Sequence, residues 1–314
     1  MNEKDSLNKR RKSIIKLLLQ SLLALALLAV LFQFVSIADV TRALLAARAE
    51  YIVGAALLMF VNIGLQIVKW RYFVRLIDPA ATNLETAASL LFGITLGAIT
   101  PGQIGEFGGR ALHHTSISAG TLIGLTLVDK VQMMCIMGIS GVASLVILFQ
   151  CDLIVETVSI VVSVFLFLLI FFKLNALQRI IQKFKFGFFD RPSIQDLLSA
   201  VSIFRTRDLI ASFGLSAGFY MIIYLQMFLL LNAFSPVHAA DAYLGFAAMM
   251  FLKSLVPISL GDLGIREAGS VYFCALRGIA NATALNASLL LFVINIFLPS
   301  LIGLIFIPRA RSNG

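Results

Sequence analysis

The amino-acid sequence predicts an all-α polytopic membrane protein, with six full transmembrane helices and two re-entrant helical hairpins arranged as an inverted-topology repeat. Hydrophobic residues make up 60% of its 314 residues and charged residues 13%, and the mean hydropathy is +0.96. These values exclude a water-soluble globular domain of this size. Several apolar runs reach the roughly 20 residues that a membrane-crossing helix needs, and none alternates as barrel strands do. A decapeptide that carries charges also occurs twice inside apolar sequence.

Six apolar runs are long enough for full spans, and they divide a single integral membrane domain into two similar halves, 14–150 and 153–307. Each half consists of two spans, an interrupted apolar stretch and a third span. The first run lacks a small-residue cleavage site after it, which indicates a retained signal anchor. The spans are Ile14–Val35, Tyr51–Val68, Val131–Phe149, Leu153–Phe172, Leu209–Leu231 and Ala282–Ile307, and the interrupted stretches are Leu84–Lys130 and Asp241–Ile279.

The uneven distribution of basic residues predicts the orientation, because they accumulate in cytoplasmic loops. Six precede residue 17, three lie in Lys69–Arg75, seven lie in the connector 173–208 and two follow the last span, whereas Arg42, Arg48 and Arg277 fall on the opposite side. We therefore expect an inner (cytoplasmic) membrane protein with both termini in the cytoplasm and a cytoplasmic interfacial connector. The net charge of +9 then reflects topology and attraction to anionic inner-leaflet lipids. Nucleic acid is not an expected partner.

The number of crossings relates the two halves. Each half crosses an odd number of times, whether its interrupted stretch is a re-entrant hairpin or two full crossings, so the second half is inverted relative to the first. We favour re-entry, because the 16 residues from Glu85 to Pro101 span only about 24 Å as helix, against a hydrocarbon core of roughly 30 Å. In transporters with inverted repeats, broken helices line a substrate site near the midplane.

The duplicated motif provides a helix break in each half. Pro101–Arg110 and Pro257–Arg266 share Pro, Gly, Gly and Arg at the same offsets. Proline ends a helix, and glycine permits backbone conformations closed to other residues. Irregular backbone at membrane depth is tolerated only where it is buried in protein or lines a wet cavity. We expect the helices to resume near Phe107 and Leu263, with their N-terminal N–H groups directed at an anion.

The charged residues of the motifs indicate a phosphate-binding cavity. Arginine carries a permanent, planar charge suited to phosphate, and the acidic residues are candidates to hold the arginines in an empty site or to bind an amine or a proton. The candidate substrate-binding residues are Arg110, Glu106, Gly105, Gly102, Arg266, Asp262, Glu267, Gly261 and Ser259. Lys253, Asp129 and His113 are candidate cavity-lining residues, and Pro101 and Pro257 are structural helix breakers.

Each of these residues also has a plainer interpretation. Glu106 with Arg110, and Asp262 with Arg266, have the i, i + 4 spacing of structural ion pairs. The other plain interpretations are a local pair at Asp129–Lys130, interfacial histidines at His113–His114, a Lys253 that snorkels to an interface, and an aromatic and basic anchor at Lys69–Tyr72.

Metal and cofactor binding are not predicted. The three cysteines, Cys135, Cys151 and Cys274, are scattered, without the spacing of a zinc site or a disulfide framework. We therefore expect neither a metal nor a cofactor.

Two segments resemble the paired signatures of the lysylphosphatidylglycerol synthase transmembrane family, also called flippase-like domain proteins: Thr100–Glu106 and Pro257–Glu267. The resemblance extends from the second span to the end of the chain. It implies a bacterial or archaeal inner-membrane protein with two re-entrant helices that moves aminoacylated phospholipids or lipid-linked sugars between leaflets. The chain departs from the family pattern at Gln103, where a basic residue is common, and at Asp262, where a second glycine is common. Because the sequence stops at Gly314, we expect a stand-alone member without the soluble synthase domain.

The leading functional hypothesis is a lipid flippase or transporter, not an enzyme, that moves an anionic phospholipid or lipid-linked (polyprenyl-phosphate) headgroup between leaflets. One alternative is a membrane-embedded enzyme that acts on a lipid phosphate or lipid-linked sugar, with Glu106 or Asp262 as acid or base. Another is a small-solute or ion transporter. Besides the lipid substrate, a second copy of the chain and a separate lipid-modifying enzyme are candidate partners.

Overall fold

The computed structural model describes residues 37–114, 116–150, 192–256 and 262–307, together with Val158. These residues form helices and connecting turns, and no β-strand occurs among them, which confirms the all-α class. The predicted spans Ile14–Val35 and, apart from Val158, Leu153–Phe172 lie outside the described residues, as does most of the connector 173–208.

The helices follow one another with short connections. In chain order they are α1 (Ile37–Leu45), α2 (Ala49–Arg75), α3 (Asn83–Ala98), α4 (Gly105–Ala111), α5 (Ala119–Leu148), α6 (Pro192–Ser202), α7 (Thr206–Phe234), α8 (Ala239–Leu255), α9 (Ile265–Ala275) and α10 (Asn281–Phe292), then a π-helical turn (Val293–Phe297), α11 (Leu298–Gly303) and a 3₁₀ turn (Leu304–Phe306).

Four helical segments are long and apolar enough to cross a membrane: α2, α5, α7 and the continuous Asn281–Phe306. They correspond to four of the six predicted spans. The boundary predicted between Lys130 and Val131 is wrong, because α5 runs unbroken through it. Ser118 caps the start of the helix, since its hydroxyl accepts a hydrogen bond from the Thr121 N–H at 3.2 Å.

The last membrane-length segment changes its helical geometry near Asn295. Pro299 has no N–H, so the Asn295 carbonyl lacks the donor that an α-helix would supply four residues later. The chain widens into the π-helical turn Val293–Phe297 just before this proline.

Helices α3 and α4 form a tight hairpin. A capping box begins α3: the Thr82 hydroxyl accepts from the Glu85 N–H, and the Glu85 carboxylate accepts from the Thr82 N–H. Further along, the two helices approach through glycine, since a Cβ on Gly109 would lie 2.7 Å from the Cα of Gly93. The predicted break at Pro101 lies in the turn between them.

Helices α8 and α9 form a second hairpin with a similar close approach. A Cβ on Gly245 would lie 2.7 Å from the Cys274 sulfur. An ion pair between Arg277 and Asp241, at 2.6 Å, joins the end of α9 to the start of α8. Residues 257–261, between the two helices, lie outside the described part of the chain.

Helices α2 and α7 pack side by side and antiparallel. The Arg48 side chain, before the start of α2, donates a hydrogen bond to the Asn232 carbonyl near the end of α7. At the other end, the Tyr72 hydroxyl donates to the Asp208 carboxylate at 2.6 Å.

Each hairpin packs against the long helix that follows the other hairpin. Thr95 of α3 donates to the Ser300 carbonyl of α11 at 2.8 Å. In the same way, Ser144 of α5 donates to the Leu244 carbonyl of α8 at 2.5 Å. This exchange brings the two hairpins to the same central region.

Candidate functional site

A cavity of about 420 Å³ lies in this central region, lined by both hairpins together with α2, α5, α7 and the last membrane-length segment. Its walls include both hydrophobic clusters of the core, one around Trp70 and Phe73 and the other around Met137 and Met250. Five basic and three acidic residues line it: Lys69, Arg110, Lys130, Lys253, Arg266, Glu106, Asp129 and Asp262.

Arg110 lies at the centre of the charges contributed by the first hairpin and is only 2% exposed. Its guanidinium pairs with Glu106 and with Asp129, the latter at 2.9 Å. It also stacks over the Trp70 ring, 4.6 Å from the ring centroid, an arrangement that favours a cation. The Glu106–Arg110 ion pair predicted from the i, i + 4 spacing is therefore present.

Asp129 and Lys130 do not pair with each other, which corrects the local pair predicted there. Asp129 contacts Lys69 and Arg110, whereas Lys130 contacts Glu106. In α5, consecutive side chains point about 100° apart, so each reaches a different partner.

Lys69 and Trp70 are buried cavity residues, which corrects the interfacial anchor predicted for this segment. Lys69 contacts both Asp129 and the Ser216 hydroxyl, and the Trp70 indole N–H donates to Ser89 at 3.1 Å. The sequence signal for this face was the seven-residue spacing of Asn62 and Lys69 within an otherwise apolar run, which places both on one side of α2.

The second motif pairs differently from the prediction. Asp262 contacts Lys253 at 2.9 Å, and Arg266 contacts Glu267. The predicted Asp262–Arg266 ion pair is wrong because α9 begins only at Ile265. Asp262 therefore precedes the helix, and the i, i + 4 rule for neighbours on a helical face does not apply.

The two motifs meet directly. The Gln103 amide donates to the Asp262 carboxylate at 3.0 Å. Both residues have left-handed backbones, with φ of 57° and 61°, a conformation that costs a non-glycine residue of order 1–3 kcal/mol.

Some of the N–H groups at the start of the two resumed helices already have partners within the protein. The helices resume at Gly105 and Ile265, each two residues from the starts predicted near Phe107 and Leu263. The Gly105 N–H donates to the Thr100 hydroxyl at 2.7 Å, and the Gly264 N–H donates to the Glu267 carboxylate at 2.7 Å. An anion in the cavity would also meet the basic side chains that line it.

The remaining predicted residues differ in position. Gly102 and Lys253 line the cavity, whereas Glu267 is fully buried behind it as a partner of Arg266. His113 packs edge-on against Phe92, with 5.4 Å between ring centroids, and is not a lining residue. Gly105 lies behind the turn, against Leu96. Pro257, Ser259 and Gly261 fall outside the described residues.

The charges leave a small positive excess. Five basic side chains line the cavity against three acidic ones, and Glu267, paired with Arg266, is a fourth acid. With all of them ionised, the cluster carries one net positive charge. Buried charges of one sign need compensation, so an anionic group suits this site.

A comparison with known families identifies the chain. The family model described as "Lysylphosphatidylglycerol synthase TM region" matches residues 17–303, which is most of the sequence. A search of curated proteins found no match. Together with the four membrane-length apolar helices, the family match indicates a multi-pass membrane protein related to lipid. The chain belongs to the lysylphosphatidylglycerol synthase TM region family.

Proposed function

We propose that this protein is a lipid flippase or transporter that moves an anionic phospholipid or a lipid-linked (polyprenyl-phosphate) headgroup between the leaflets of the inner membrane. The observation that carries the proposal is the convergence of five basic side chains on one cavity with a net positive charge. A phosphate would bind Arg110 and Arg266 in the manner suited to guanidinium groups.

The edge of the cavity suits a ligand with apolar tails. Leu127 and Met134 of α5 line the cavity and are 38% and 52% exposed, and Lys130 lies between them on the same helical face. A headgroup would contact Lys130 at this edge while its acyl or prenyl chains stay among lipids. This arrangement favours a lipid over a small free solute.

We further propose an inverted repeat of halves 14–150 and 153–307, with six full spans in all and each hairpin re-entering the membrane, and the packing of the described helices is consistent with the inversion. Helices α2 and α7, which have equivalent places in the two halves, run antiparallel. The crossed packing of each hairpin on the other half is also reciprocal, as a twofold relation requires. Rocking of one half against the other would expose the cavity to each side in turn.

The proposal extends to the surroundings of the protein. Both termini would lie in the cytoplasm, and anionic inner-leaflet lipids would contact the basic loops. A second copy of the chain and a separate lipid-modifying enzyme are proposed partners.

Transport in proteoliposomes tests the function. We expect Arg110→Gln and Arg266→Gln to abolish movement of labelled phosphatidylglycerol and of a labelled prenyl-phosphate sugar, measured by quenching of the outer leaflet. The Arg110→Gln variant should still fold, because both of its acidic partners retain a basic one: Glu106 still pairs with Lys130, and Asp129 still pairs with Lys69. Arg277→Gln is the matched control, since Arg277 pairs with Asp241 outside the cavity.

The outcomes also separate the alternatives. Unchanged transport in both cavity variants would overturn the assignment. Chemical conversion of the labelled lipid, detected by mass spectrometry, would indicate a membrane-embedded enzyme. Uptake of a small solute without any lipid movement would indicate a solute or ion transporter.

A further inference from the structure

Next to the charged cluster, the cavity has a polar but uncharged region formed by carboxamide side chains. Asn62 and Gln66 come from α2, and Asn295 comes from the π-helical turn; all three line the cavity. Gln226 of α7, fully buried behind them, completes the group. We call these four residues the amide cluster.

The amide cluster is held in place by its own hydrogen bonds. Asn62 donates to Asn295 at 2.8 Å and, more weakly, to Gln226 at 3.5 Å, and its oxygen accepts from Gln66 at 2.7 Å. Gln226 and Asn295 donate in turn to backbone carbonyls of their surroundings. The N–H groups of Asn62 are therefore fully used within the protein.

Gln66 is the cavity-lining member of the amide cluster that has both a donor and an acceptor left for a ligand. Its amide nitrogen has two N–H groups, of which one donates to Asn62. None of the hydrogen bonds found among the described residues uses its carbonyl oxygen. Gln66 is only partly buried and lines the cavity. It therefore presents one donor and one acceptor side by side.

That pair matches a hydroxyl group better than the charged groups of a headgroup. A hydroxyl donates one hydrogen bond and accepts others, so it satisfies both atoms of the amide. An ammonium only donates, so it would leave the free N–H of the Gln66 amide without an acceptor. A phosphate oxygen only accepts, so it would leave the Gln66 carbonyl oxygen without a donor. The pairing therefore favours a polyol or sugar.

The spacing of residues along α2 gives the distance between the amide side chains and the nearest basic residue on that helix, Lys69. Asn62, Gln66 and Lys69 recur at i, i + 4 and i + 7 and share one face of the helix. Gln66 lies about 4.5 Å along the axis from Lys69, and Asn62 lies about 10 Å from it. Hydroxyl groups attached one or a few bonds beyond a phosphate would fall within this range.

We propose that the amide cluster recognises the neutral hydroxyl groups of the headgroup, so that the substrate is a singly charged lipid phosphodiester carrying a polyol or sugar, not an amine. This inference rests on the proposed function, because the phosphate must bind at the neighbouring basic residues. The five basic and four acidic side chains at the cavity carry one net positive charge, which matches the single negative charge of one phosphodiester. Two lipids share this chemistry: a glycerophospholipid with a glycerol headgroup and a prenyl-phosphate sugar.

A purely structural role for the amides predicts something different. Amide side chains also join helices within membranes, and Asn62 does join α2 to α7 and to the last membrane-length segment. In that case, loss of the Gln66 amide would lower stability and leave the relative affinities for different headgroups unchanged. Headgroup selectivity therefore separates the two roles.

The test measures the binding of short-chain lipids to the purified full-length protein in detergent by isothermal titration calorimetry. The probes are dioctanoyl phosphatidylglycerol, phosphatidic acid and phosphatidylethanolamine, and a citronellyl phosphate sugar. Gln66→Met removes the amide at nearly constant volume. Leu65→Met is the matched control, because Leu65 lines the same cavity and offers no hydrogen bond.

We expect the wild-type protein to bind phosphatidylglycerol, the phosphate sugar or both about tenfold more tightly than phosphatidic acid or phosphatidylethanolamine. Gln66→Met should remove that preference, and Leu65→Met should keep it. The tighter-binding one of these two hydroxyl-bearing probes shows whether the substrate is a glycerophospholipid or a prenyl-phosphate sugar. Equal or tighter binding of phosphatidylethanolamine or phosphatidic acid, or a preference that survives in Gln66→Met, would overturn this inference while the lipid transport assignment stands. Absence of binding by all four probes would overturn both.

Discussion

Five basic and four acidic side chains share the interior around the cavity, and their individual partners determine how firmly it is built. Asp129 bridges Lys69 and Arg110, while Glu106 bridges Arg110 and Lys130. Removing one member of such a buried group leaves an uncompensated charge, which costs far more than the loss of a surface pair. The chain of alternating charges therefore holds Arg110 in position.

At the residue scale, we predict that Asp129→Asn lowers the free energy of unfolding by about 3–5 kcal/mol, because Lys69 loses its carboxylate partner and Arg110 loses one of two. Denaturant-induced unfolding in mixed micelles measures this. Asp241→Asn removes a carboxylate from the partly exposed pair with Arg277 and should cost about 0–1 kcal/mol. Equal losses in the two variants would contradict the buried-network account.

At the scale of elements, each hairpin depends on glycine where its two helices touch. The α3–α4 hairpin closes at Gly93 and Gly109, and the close approach places Arg110 against Trp70. In lipid there is little hydrophobic drive between helices, so such close backbone packing is a main source of association. The hairpin geometry is therefore set by small residues and not by apolar patterning.

A pair of neighbouring glycines tests this packing. Gly109→Ala should destabilise the protein by about 1–3 kcal/mol, because the new methyl group would overlap Gly93. Gly108→Ala, in the same helix, meets nothing within 4 Å and should be neutral or stabilise by up to about 1 kcal/mol. Thermal unfolding in detergent measures both. A cost as large at position 108 as at 109 would show that helix α4 itself, and not its contact, is sensitive.

At the scale of the whole molecule, the cavity belongs to neither half alone. Gln103 of the first motif bonds Asp262 of the second, and each hairpin is supported by a long helix of the other half. A relative movement of the halves would therefore act on the contacts between the two motifs first.

The antiparallel packing of α2 and α7 makes a topological prediction. Single cysteines at Ala80 and Arg205 should be labelled only from the cytoplasmic side, and those at Ala46 and His238 only from the opposite side, in a background without native cysteines. An impermeant maleimide applied to intact cells and to inverted vesicles measures this. Labelling of all four positions from one side would contradict the membrane-spanning assignment of both helices.

Local features made much of the fold predictable. The four long helices were found within a few residues of their ends, apart from the boundary inside α5 and the end of α2, which lies at Arg75 and not at Val68, because apolar length is a local property. The break at Pro101 was also found, because proline and glycine act on their own backbone. The boundary inside α5 was missed because Asp129 and Lys130 looked interfacial, whereas buried ion pairs allow both within the helix.

The sequence by itself determined the all-α class, the positions of the four long apolar helices, the paired motifs and the excess of positive charge. Only the tertiary structure decided which charges pair, so that Asp129 binds Lys69, Asp262 binds Lys253, and Gln66 faces the cavity. The physical reason is the solvent. A helix surface that faces lipid is as apolar as one that packs inside the protein, so hydrophobic periodicity does not distinguish them. The side on which a polar residue finds its partner is fixed only when the helices come together.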